Sequence, residues 1–124
     1  MVSDNWPGRY RIRLVRARGV WGRLCGLLGR ARPPGEGIGF WLFPCWAVHT
    51  IGMRYPIDIA FVDHQGRVRR LARHIRPGRV VCCPGAESVI ELRVNDKDTP
   101  LRYQRRLHVA LRKQSSRQLN RAAD

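Results

Sequence analysis

His49, Arg54 and Asp58 fall within ten positions of one another, inside the stretch VHTIGMRYPIDIAFVD from 48 to 63. Their types suit acid–base or ligand chemistry. An imidazole changes charge near neutral pH. A guanidinium fork matches a carboxylate or a phosphate. A carboxylate among apolar neighbours must be hydrogen-bonded or ion-paired. His49 and Asp58 would supply two members of a hydrolytic triad; Thr50 and Cys45 are the nearby nucleophiles, and neither sits in a nucleophile elbow. Cys45-x-x-x-His49 is half of a zinc site that Cys82 or Cys83 would complete. A structural zinc site takes four ligands in paired spacings, so the cysteines read as free thiols and no metal is assigned. The candidate ligand-binding set is His49, Thr50, Met53, Arg54 and Asp58, with no cofactor implied. The competing structural reading makes Asp58 an ionised clamp, held by Arg54 or by backbone donors at the GMRYP corner, with His49 close by.

These residues need elements to position them. Tyr55, Ile57, Ile59 and Phe61 alternate with Pro56, Asp58, Ala60 and Val62. That period of two predicts a strand with one face on a core, and Pro56 belongs at its start. Asp63-His64-Gln65-Gly66 supplies turn chemistry, so residues 67–75 return as the partner strand. Further strands are predicted over Tyr10–Val15, Gly39–Trp46, Val80–Cys83 and Glu87–Val94. Val20, Leu24, Leu27 and Leu28 recur at helical spacing and predict one short helix. GRARPPGEGIG, residues 29–39, lacks the Lys-Ser/Thr pair of a phosphate loop. Thr99-Pro100 reads as an N-cap followed by proline at the first helical position. Tyr103, Leu107, Ala110 and Leu111 then make a narrow apolar stripe, with a frayed polar tail from Ser115.

The block PC-x-x-VHT-x-GMR-x-PID-x-x-F-x-D, from Pro44 to Asp63, resembles the signature of the domain of unknown function 192 family, a set of small bacterial and archaeal proteins. Gly26-Leu27-Leu28-Gly29-Arg30 upstream and Val89-Ile90-Glu91-Leu92 downstream agree in order. The resemblance covers residues 12–92 and implies a compact, mostly β domain. It brings no agreed reaction, cofactor or catalytic residue. After the Glu-Leu pair the family usually continues into a Gly-rich segment ending in Gly-Asp; from Arg93 this chain differs.

The predicted fold is therefore α+β and mostly antiparallel: a barrel-like or sandwich-like domain over residues 9–94, with one short helix, then a basic helical extension over 95–124. A chain of 124 residues buries about two-thirds of its unfolded surface, enough for a core without staples. The formal charge of +15 comes almost wholly from arginine, Lys97 and Lys113 being the two lysines. Such a charge reflects either genome composition or a polyanionic partner. Residues 93–124 hold nine Lys/Arg against three Asp. Arg102, Arg105, Arg106, Arg112 and Lys113 flank the apolar stripe, which makes the C-terminal helix the candidate contact for nucleic acid or an anionic membrane. The polar N-terminus, with no apolar leader or span, suggests a cytoplasmic protein with reduced thiols. The expected function is a non-catalytic binding or accessory module with a basic surface. The alternative is an enzyme or small-ligand binder built on His49, Arg54 and Asp58.

Overall fold

Alternating apolar residues build one central sheet. The computed structural model describes residues 11–18 and 35–123. In chain order the elements are β1 (Arg13–Arg18), β2 (Ile38–Phe43), β3 (Ala47–His49), β4 (Ile57–Val62), β5 (Val68–Ile75), β6 (Val80–Cys82), β7 (Ser88–Arg93) and α1 (Pro100–Ala123). Five strands form a sheet in the order β1-β2-β7-β4-β5, and β3 pairs with β6 as a separate ribbon. All pairings are antiparallel except β1 with β2. The fold is α+β, as predicted. Among the described residues the five-stranded sheet stays open, with β1 and β5 as its edges, and closes no barrel. The short helix predicted over Val20–Leu28 lies outside the described residues.

The predicted one-sided strand is covered on both sides. Every residue of β4 is buried. Ala60 and Val62 join Leu14, Trp41, Ile90 and Leu92 in a core beneath α1. Ile57, Ile59 and Phe61 join Leu42, Met53, Val81 and Val89 in a second core beneath the β3–β6 ribbon. The stripe Tyr103, Leu107, Ala110 and Leu111 closes the first core, as its spacing predicts. α1 runs on to Ala123, past the fray expected at Ser115. The predicted apolar strand Gly39–Trp46 ends at Phe43, where the peptide bond to Pro44 is cis. Gly39 is required by close approach: a Cβ there would stand 2.7 Å from the Ile90 side chain.

A bulge interrupts the β4–β5 edge. Ile57 pairs with Ile75 and Ile59 with Ala72, so Arg73 and His74 together oppose Asp58. His74 has φ of 54°, the left-handed region that histidine tolerates better than most residues.

Candidate functional site

Asp58 is wholly buried and faces α1. Its Oδ1 accepts the His74 backbone N–H at 2.9 Å. Its Oδ2 accepts the Asn95 backbone N–H at 2.9 Å and the Tyr103 hydroxyl at 2.8 Å. The carboxylate thus ties the β5 bulge, the segment after β7 and the helix to one strand. Arg54 is exposed, and the donors on Asp58 come instead from Tyr103 and from backbone groups remote from the GMRYP corner. The expected Arg54 clamp is replaced by a tyrosine in the helix. Burial raises the Tyr103 phenol well above its ordinary pKa, and the Asp58 charge raises it further.

A second buried carboxylate lies beside the first. Asp98 is in contact with the guanidinium groups of Arg102 and Arg106 and accepts Asn95 Nδ2 at 2.9 Å. Burial pushes its pKa up, but Asn95, Arg106 and Arg102 outweigh this and hold it below the usual carboxylate value. Arg73 lies over the Tyr103 ring and donates to the carbonyls of Asn95 and Asp98. Alongside this network is a cavity of about 250 Å³, with Ile12, Ile38 and Leu92 as its apolar wall and Lys97, Tyr103 and Arg106 on its polar side. Two of the five basic helix residues singled out for a polyanion, Arg102 and Arg106, are therefore engaged with Asp98. Arg105 and Arg112 are exposed, and Lys113 is half-buried.

The remaining candidates lie on the other side of the sheet. His49 is exposed in the ribbon, paired with Val80. Met53 is buried in the core beneath that ribbon. Thr50 is wholly buried. Its hydroxyl donates to the Arg76 carbonyl at 2.6 Å and accepts the Arg79 N–H at 2.9 Å. Its backbone N–H donates to the Arg79 carbonyl, and its own carbonyl accepts the N–H of Gly78. Thr50 therefore locks the Arg76-Pro77-Gly78 turn. Thr50→Val should cost about 1–3 kcal/mol, because an amide and a carbonyl lose their buried partner. Urea unfolding checks this, and an unchanged midpoint would mean the backbone bonds alone hold the turn.

His49, Arg54 and Asp58 thus form no common constellation: the sheet stands between His49 and Asp58. Among the described residues no group of three His, Cys, Asp or Glu is placed to hold a metal ion. Cys82 and Cys83 are free, and the Cys45 thiol donates to the Ala47 carbonyl at 3.1 Å. The residues that the sequence reading missed are Tyr103, Arg73 and Asp98. The available signal was the Tyr103 hydroxyl itself, since a buried tyrosine on an apolar stripe needs an acceptor.

A model of the DUF192 family, described as Uncharacterized ACR, matches residues 3–98. The chain belongs to the DUF192 family. This DUF192 protein is similar in structure to a protein of unknown function from Novosphingobium aromaticivorans DSM 12444, with 23% identity and a TM-score of 0.60. The match covers 68% of this chain and 64% of that one, so the DUF192 chain spans less than two-thirds of that protein's length. It is also similar to a proposed transcription regulator from Sinorhizobium meliloti 1021, at 17% identity and a TM-score of 0.57, over 65% of this chain and 67% of that one. At these identities the likeness is one of fold. No curated protein matches the chain. No helix among the described residues is long and apolar enough to cross a membrane.

The hairpin and the helix meet at His108. Its Nε2 accepts the Val68 N–H at 3.0 Å, which requires an unprotonated nitrogen. Burial lowers its pKa, and the Arg112 and Arg67 charges lower it further. The unfolded chain therefore holds more protons on this group than the folded one. Its penalty is absent above the ordinary histidine value and grows as pH falls below about 6.5. Urea unfolding at pH 7.5 and 5.5 should show wild type losing more stability on acidification than His108→Gln. Equal losses would mean His108 does not titrate as described.

Proposed function

We propose that this DUF192 protein is a non-catalytic binding module that works in the cytoplasm and holds a polyanion on the face shared by α1 and the β4–β5 hairpin. The observation that carries the reading is the contact of hairpin and helix at Val68 N–H and His108 Nε2, which sets exposed Arg67, next to Val68, and exposed Arg112, one helical turn after His108, beside the same junction. Arg105 is exposed on the same helix. The acid in this neighbourhood, Asp63, accepts the N–H groups of Gln65 and Arg67 and so serves its own turn. The burial of Asp58 and Thr50 in structural hydrogen bonds supports a binding role over a catalytic one.

Binding to duplex DNA, single-stranded RNA and phosphatidylserine vesicles, measured across salt, tests this. For duplex DNA, log affinity should fall linearly with log salt, and Arg67→Gln/Arg105→Gln/Arg112→Gln should reduce the slope by about 3. These side chains are exposed, so the fold should survive the change. A triple variant that binds every polyanion like wild type would move the contact off this face.

A further inference from the structure

We propose that the outer face of the β3–β6 ribbon is a docking tip for an anionic lipid bilayer. This goes beyond the α1 reading and is independent of it, because ribbon and helix cover opposite faces of the sheet.

The ribbon's pleat sorts its side chains. Val48 and Val81 point into the core beneath it. Ala47, His49, Val80 and Cys82 are exposed on the outer face. Ile51, in the turn that follows Thr50, is exposed as well. Val80 is 70% exposed, and Ile51 and Trp46 are each 55% exposed. Large apolar side chains this open are not supporting the fold. Thr50 fastens the corner that carries Ile51 and Val80 to Arg76, Gly78 and Arg79.

At the Thr50 corner, which carries Ile51 and Val80, the charges contributed by the ribbon and its turns have one sign, and Glu87 meets the ribbon only at its far end, through Cys45. Arg54, Arg76 and Arg79 are exposed at the same corner. Residues 44–57 and 76–86, which make the ribbon and its turns, contain no Asp or Glu. An apolar corner with an arginine rim, and an exposed tryptophan at the ribbon's other end beside Cys83, is complementary to an anionic bilayer. Aliphatic groups enter the acyl boundary, tryptophan sits at the headgroup level, and arginines meet the lipid charge. Nucleic acid fits less well, because Ile51 and Val80 at the arginine-bearing corner stack no base, and the exposed ring of Trp46 stands at the ribbon's other end. A protein ligand fits less well too: the cavity lined by Tyr103 and Arg106 lies on the other side of the sheet, against α1.

Flotation of the full chain with vesicles tests the proposal, using phosphatidylcholine alone and phosphatidylcholine mixed with phosphatidylserine. Wild type should partition at least about tenfold better onto the mixed vesicles. Arg54→Gln/Arg76→Gln/Arg79→Gln should lose on the order of 100-fold. Ile51→Ser/Val80→Thr should lose about tenfold with little change in salt dependence. Arg105→Gln/Arg112→Gln, on the opposite face, should keep vesicle binding, and its effect on DNA or RNA binding reports the α1 reading separately. Thermal unfolding of each variant confirms that the fold is retained. The proposal is overturned if wild type ignores the mixed vesicles or if both ribbon variants partition like wild type. It is equally overturned if the ribbon variants lose nucleic-acid binding while keeping vesicle binding.

Discussion

Asp58→Ala should destabilise the protein by about 3–5 kcal/mol, the cost expected when one partner of a buried charged network is removed. Three donors lose their acceptor at once: the Tyr103 hydroxyl and the N–H groups of His74 and Asn95. The two amides lie where no neighbouring strand continues the ladder, one in the bulge and one after β7, so the carboxylate substitutes for missing sheet bonds. Asp58→Asn can keep its oxygen toward Asn95 and Tyr103 but then places its amide against the His74 N–H, so about 1–3 kcal/mol is expected. Tyr103→Phe removes a single bond to the same atom, and its effect should couple to that of Asp58→Asn by about 1 kcal/mol or more. Arg54→Met should be nearly silent and additive with Asp58→Asn, since Arg54 is exposed. Urea unfolding of the singles and doubles separates the two cycles. Coupling in the Arg54 cycle and none in the Tyr103 cycle would invert this account of the site.

The strands were legible because their information is local. Ile57, Ile59 and Phe61 announce a strand, Asp63 to Gly66 a turn, and Thr99-Pro100 a helix start, and each appears at its predicted place. Asp58 was legible as a problem, a carboxylate among apolar residues, but its solution was not. Tyr103 is 45 residues away in the chain, and nothing local pairs the two. Arg54 and the corner's backbone donors are near Asp58 in sequence, yet proximity across a tight corner does not set where a side chain or an N–H points. The ribbon was hidden for a similar reason. Ala47–His49 and Val80–Cys82 are three residues each, too short for a period to declare itself. Their pairing depends on Thr50, whose role as a turn lock needs its partners Arg76 and Arg79 in place.

The C-terminal helix has the other large expected effect. Leu107 is wholly buried between α1 and the sheet, so Leu107→Ala should cost about 2–5 kcal/mol through lost transfer energy and a residual cavity. Its neighbours Val62, Ile90 and Leu92 belong to strands already fixed by hydrogen bonds, which limits how far the site can collapse. Ending the chain at Asn95 goes further. It uncovers Ala60, Val62, Ile90 and Leu92 together and removes the Tyr103 donor from Asp58. Such a chain should show exposed apolar surface by dye binding and no sharp thermal transition. The DUF192 match ends at residue 98, before α1 begins at Pro100, so the cover on this face lies beyond the matched region. The truncated chain therefore cannot report on the helix's charge: a loss of polyanion binding would follow from unfolding alone. Charge-neutralising variants at Arg105 and Arg112 avoid this, because those side chains are exposed. If the chain ending at Asn95 instead unfolds sharply within a few degrees of full length, α1 is not the cover that its buried stripe implies.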